Sequence, residues 1–169
     1  GDVAVQAAFV PEHTRRFGFG LRRDPLWSNG IYRAVLDFDN DGAGWLQITM
    51  DYHGGRNLYI REPAGVTFAS GGTYRLRATI RDAGHPHLRL AMLRAELLNE
   101  AGEVVKAVAY PLNLSAENMP SRGAIGVYAF QQQPYRGEQK HFKLHVRDLT
   151  VRATPRSEER RVGKECATG

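Results

Sequence analysis

The stretch TYRLRATIRD, residues 73–82, alternates without a break. Tyr74, Leu76, Ala78 and Ile80 stand at one set of positions, and Thr73, Arg75, Arg77, Thr79 and Arg81 at the other. Side chains on a β-strand point to opposite faces in turn, so this run predicts a half-buried strand with an apolar side and a basic side. The same period recurs in FGFGLR (17–22), where Phe17, Phe19 and Leu21 oppose Gly18, Gly20 and Arg22. GWLQITMD (44–51) sets Leu46, Ile48 and Met50 against Trp45, Gln47, Thr49 and Asp51. NLYIR (57–61) sets Leu58 and Ile60 against Asn57, Tyr59 and Arg61.

Working outward, further strands are expected at 3–10, 30–38, 123–130 and 142–151, with a slip of period near Asp148 that suggests a bulge. LRLAMLRAELLNEAGEVVKAVAY (88–110) contains strong helix formers, yet Leu88, Leu90 and Met92 alternate and NEAGE can turn a hairpin. Two strands joined there are preferred to a helix. Ile125 and Val127 oppose Tyr128 and Phe130, which predicts a strand buried on both sides. Many short strands with Gly, Pro, Asn and Asp between them argue for an all-β antiparallel sandwich rather than a βαβ sheet.

Composition agrees with one folded domain. The chain has 169 residues, 42 % apolar and 24 % charged, with 23 Lys+Arg against 18 Asp+Glu. The +5 charge is dispersed along the sequence rather than clustered, which speaks against a nucleic-acid binder. No apolar run is long enough to span a bilayer. The single Cys excludes an internal disulfide framework and says nothing of compartment. The chain opens without a leader pattern, which reads as a clipped N-terminus. RSEERRVGKEC (156–166) resembles the in-frame translation of a common short-read sequencing adapter. It has one aliphatic residue, Val162, and cannot bury enough surface to offset the cost of ordering. Residues 1–154 are therefore read as the domain and 155–169 as a disordered, artefactual tail.

The order of elements resembles the concanavalin A-like (laminin G-like) jelly-roll superfamily. FGFGLRRDPLWSNGIYRAVLD is similar to its glycine-rich strand, variable loop and Tyr-bearing strand. GGTYRLRATI is similar to its aromatic-led strand after a Gly turn, and GAIGVYAF and FKLHVRDLTVRA to its last two strands. The resemblance implies a two-sheet jelly roll lacking an upstream strand. It also implies a carbohydrate-binding or accessory module of a larger secreted or extracytoplasmic protein, beside an adjacent domain of the parent chain. Some members are glycosidases, so a sugar hydrolase related to the keto-disaccharide hydrolases stays open, as does a structural module packing on a catalytic neighbour.

Metal chemistry finds little support in the residues. DFDNDG places Asp37, Asp39, Asp41 and Gly42 at the spacing of a calcium loop, but the position of the closing bidentate Glu is Ile48, and Asp and Asn also favour turns. Asp51-Tyr52-His53 and Gly84-His85-Pro86-His87 match the ends of a metallophosphatase pattern whose middle blocks are missing. Zinc on His85 and His87 would want more ligands. No cofactor is expected. Glycoside hydrolysis needs two carboxylates flanking the scissile bond; Glu96, Glu100 and Glu103 are read as solvated near a turn.

What remains is a face. If the alternating strands share a sheet, its outer side carries Trp45 and Tyr59 to stack on a sugar ring, with Arg22, Gln47, Asn57 and Arg61 to hydrogen-bond its hydroxyls. Glycines 18 and 20 would leave room, Arg33 and Asp37 would join, and Trp27 would rim the site or cover the core end. The alternative is an ordinary surface whose aromatics lie flat against long neighbours. A second, basic face is expected from Arg75, Arg77 and Arg81 with Lys143, His145 and Arg147. It suggests an anionic polysaccharide, or simply the charged exterior that a sandwich requires.

Overall fold

Alternation survives into three dimensions where the pattern was clearest. Tyr74, Leu76, Ala78 and Ile80 are buried, while Arg75, Arg77 and Thr79 are half-buried and Arg81 exposed. The computed structural model describes residues 2–23, 30–52, 55–83, 87, 89–113, 124–130 and 143–154. All of their regular structure is β: β1 (Asp2–Glu12), β2 (Arg16–Arg23), β3 (Ile31–Phe38), β4 (Ala43–Tyr52) and β5 (Gly55–Thr67). Then follow β6 (Tyr74–Asp82), β7 (Leu90–Leu98), β8 (Val104–Asn113), β9 (Ala124–Phe130) and β10 (Lys143–Thr154). Residues 155–169, Trp27, His53 and His85 lie outside the described residues. No helix among the described residues is long and apolar enough to cross a membrane.

Two antiparallel sheets of five strands form a sandwich of jelly-roll-like kind. The first runs β10-β1-β6-β7-β8 and the second β5-β4-β3-β2-β9. Short connections make β2 to β5 and β6 to β8 meanders, and the chain changes sheet at β1–β2, β5–β6, β8–β9 and β9–β10. The β7–β8 hairpin turns at NEAGE as expected. Asn99 Oδ1 accepts the Glu103 N–H at 2.9 Å, and Gly102 takes a φ of 83° that a side chain would resist. The slip near Asp148 is real: the β1–β10 register shifts between Gln6 and Ala8, and Asp148 sits at φ 55°.

Aromatic side chains fill the space between the sheets. Phe9 of the first sheet meets Phe17 and Phe19 of the second, each at 5.3 Å between centroids. Tyr74 joins them 5.7 Å from Phe17. Its hydroxyl donates to the Thr67 carbonyl and accepts the Ala69 N–H, both at 2.8 Å, so burying it leaves no polar group unsatisfied.

The two lateral edges of the sandwich differ. At one, Tyr59 of β5 stacks on Tyr110 of β8 and closes the gap. At the other stand β9 and β10. Val127 pairs with buried Phe19 and Val151 with buried Val5, so both face inward. Yet Val127 is 42 % and Val151 54 % exposed. The expectation that β9 is buried on both sides is thereby corrected: it is an edge strand, and its inward side opens where the sheets part.

Candidate functional site

The outer face of the second sheet is built by register. Across the strands run Phe130, Arg16, Asp37, Trp45 and Pro63, then Tyr128, Gly18, Val35, Gln47 and Arg61. Trp45, Gln47 and Arg61 are therefore neighbours, as alternation implied. Tyr59 and Asn57 are not with them. The β4–β5 pairing goes from Ile48↔Ile60 to Thr49↔Leu58, so Tyr59 is an extra, bulged residue. Beyond the bulge the parity of β5 reverses: Leu58 shares the outer side with Thr49, and Asn57 shares the inner side with Met50. Tyr59 packs against the core, stacked on Tyr110 at 4.5 Å and 11°, its hydroxyl 3.6 Å from Met50 Sδ. The expected sugar platform of two wet rings is not formed. Arg22 lies on β2, but its side chain is outside what is described.

The remaining groups of that face are occupied with one another. Arg61 lies over the Trp45 ring, 4.0 Å from its centroid, and covers the surface that would have met a sugar. Gln47 and Thr49 are 4 % and 2 % exposed, so the expected amide contact is buried. Arg16 grips Asp37 through Nε and Nη2 at 3.0 and 3.1 Å. Burial opposes the Arg16 charge, but Asp37 outweighs it and the guanidinium pKa is raised. Arg33 pairs with Asp51 and stacks 3.9 Å over Tyr128.

The aspartates of DFDNDG diverge. Asp37 faces Arg16, whereas Asp39 closes its own turn, accepting the N–H groups of Asp41 and Ala43 at 3.1 and 2.9 Å. Its other oxygen accepts the Trp45 indole N–H at 3.2 Å, and these bonds, the indole first, hold its carboxyl below the usual range. Among the described residues no three His, Cys, Asp or Glu gather as metal ligands.

The first sheet presents a different outer face. Its register places Thr150, Gln6, Arg77 and Glu96 in one row, and Arg152, Ala4, Thr79, Arg94 and Ala109 in the next. Arg81 and Met92 are paired beyond them. Short Ala4, Thr79 and Ala109 form a floor between long arginines, and a groove of about 980 Å³ results. Four guanidinium groups line it against one carboxylate, that of Glu96.

Glu96 is 5 % exposed and is not the solvated turn residue expected from sequence. Arg77 and Arg94 both bond it, the latter at 2.7 Å. Burial raises its pKa, but the two guanidinium bonds prevail and hold it below the ordinary carboxylate range. Arg81 and Arg152 make no ion pair with any described residue. Of the six bases expected on this face, Arg77 and Arg81 line the groove. Arg75, Arg147, His145 and Lys143 lie farther along the same side; Lys143 and His145 face Glu12 at 3.9 and 3.4 Å. Sequence reasoning missed Arg94 and Arg152. Alternation in LAMLRAELL could have placed Met92, Arg94 and Glu96 together, but nothing local brings β10 and β7 to one groove.

No protein-family model matches the chain, and no curated protein matches it. Among solved structures it is similar to tailspike protein 2 of Escherichia coli O157:H7 bacteriophage CAB120, with a TM-score of 0.38 and 13 % identity. That likeness covers 66 % of this chain and 14 % of the tailspike, and at this level it carries no argument.

Proposed function

We propose that this chain is a non-catalytic carbohydrate-binding module of the concanavalin A-like kind, an accessory part of a larger extracytoplasmic protein. The observation that carries the reading is the groove on the outer face of the first sheet, where Gln6, Thr79 and Thr150 offer hydrogen bonds and arginines form the walls. Sugar hydroxyls both donate and accept, and amide, hydroxyl and guanidinium groups suit them. The jelly-roll-like sandwich supports the superfamily assignment, and the locus moves from Trp45 and Tyr59 to this face.

Hydrolysis is the less favoured reading. A pair of carboxylates would have to flank the bond, one of them protonated. The groove has a single lining carboxylate among the described residues, and two arginines hold it ionised. Microarray binding of the purified chain to immobilised glycans, together with a search for reducing ends released from the same glycans, separates these readings. Binding without turnover is expected; turnover would replace the module with an enzyme. A structural module packed on a neighbouring domain is favoured by one observation, the exposed inward-facing Val127 and Val151 at the open edge. A folded chain that binds no glycan on the array would make that the better account.

A further inference from the structure

Three surface features could engage a partner: the open β9–β10 edge, the outer face of the second sheet, and the charge of the groove. Nothing in the structure says what covers the first. In the second, Arg16, Arg33 and Arg61 are matched by Asp37, Asp51 and the rings of Tyr128 and Trp45. The groove holds charge that the described part of the fold does not use.

Resting on the carbohydrate reading above, we infer that the groove takes an anionic polysaccharide, its acid groups meeting Arg81 and Arg152 and the outward N–H groups of Arg77 and Arg94. Neutral glycans gain much of their binding from aromatic rings stacked on their C–H faces. No aromatic residue among those described lines this groove, where Met92 is the one large apolar side chain. Affinity there has to come from charge and hydrogen bonding.

The charge is arranged to be used. A guanidinium has five N–H donors, and Glu96 engages only part of those on Arg77 and Arg94, which it also holds in place. Those two forks are therefore pre-set, and less entropy is lost when an acid group docks on them. Arg81 and Arg152 are held by no described acid. Two strand spacings and one pleat repeat separate them, about 10 Å across and about 7 Å along the sheet. They suit successive acid groups on an extended chain rather than one small anion. A nucleic acid is the poorer match, because single strands are gripped by aromatic stacking that this face lacks.

The test is isothermal titration of the chain with four polymers. These are polygalacturonate, the same polymer with its carboxyls reduced to alcohols, a sulfated dextran and a single-stranded oligonucleotide, each at low and at high salt. Polygalacturonate or the sulfated dextran is expected to bind, and whichever binds tighter identifies carboxylate or sulfate as the acid group. Raising salt from 50 to 300 mM weakens it roughly tenfold or more, as does the Arg81→Ser/Arg152→Ser double variant. Neither arginine pairs with a described acid, so the variant folds, which its thermal transition verifies. Binding of the carboxyl-reduced polymer as tight as that of the tighter acidic polymer overturns the anionic claim and leaves the carbohydrate reading standing. Tightest binding to the oligonucleotide overturns it in favour of a different partner. Binding to none of the four, with a glycan found on the array, overturns it too; binding to nothing on either overturns both readings.

Discussion

Replacing Glu96 by Gln probes the interaction that organises the groove. The side chain is 6 % exposed and accepts bonds from Arg77 and Arg94, whose side chains are 33 % and 48 % exposed. Hydrogen bonds to a charged group contribute about 1.5–3 kcal/mol each when buried. Both arginines can regain water, and Gln keeps one acceptor, so the loss is discounted to about 2 kcal/mol in all. For a domain of this size that lowers Tm by about 4–8 °C. The pH dependence gives a second readout. Because the folded Glu96 pKa is depressed, its stabilisation is present above the ordinary carboxylate pKa and is lost as pH falls through the folded value. Wild-type Tm should therefore fall more steeply below about pH 4 than that of Glu96→Gln, and the two curves should converge in acid. Thermal melts by circular dichroism at several pH values measure both. A variant with unchanged Tm at pH 7, or curves that stay parallel into acid, would refute the clamp.

Glycines 18 and 20 should respond very differently to alanine. A Cβ at Gly18 would collide with the Ala34 carbonyl oxygen and lie 2.8 Å from Val35 Cα, both fixed backbone, so Gly18→Ala should cost more than about 3 kcal/mol. At Gly20 the obstacle is the movable tip of Ile31, and Gly20→Ala should cost about 1 kcal/mol or less; urea titration of both variants checks the contrast. Tyr59→Ala removes the stack on Tyr110 and should lower stability by about 2 kcal/mol while leaving glycan binding unchanged. Loss of binding in that variant with stability intact would restore Tyr59 to the site.

The legible parts of this fold were local. Strand β6 could be read residue by residue because burial of Tyr74, Leu76, Ala78 and Ile80 needs only a pleat and one apolar neighbour sheet. The β7–β8 hairpin could be read because Asn99 and Gly102 fix their turn within five residues. Tyr59 could not be placed. Its side depends on one extra residue in β5 relative to β4, a fact of pairing with no signature in NLYIR. The groove was half legible for a similar reason. Its arginines on β6 announced themselves by alternation; Arg94 joins them through the β6–β7 pairing, opposite Thr79, and Arg152 only because β1 pairs with β10 across the whole chain, Asp2 opposite Thr154. Glu96 looked solvated beside a turn. Arg94, two residues back on the same strand, and Arg77, opposite it on β6, made burial tolerable, and the second of these is set by strand pairing rather than by sequence proximity.

The proposed function turns on one claim, that a sugar chain meets the outer face of the first sheet. Backbone amide chemical-shift mapping by NMR, with a short oligogalacturonate titrated into the labelled chain, tests it most directly. Shifts concentrated on Gln6, Arg77, Thr79, Arg94 and Arg152 are expected. Shifts concentrated instead on Trp45, Gln47 and Arg61, with the first sheet silent, would contradict it.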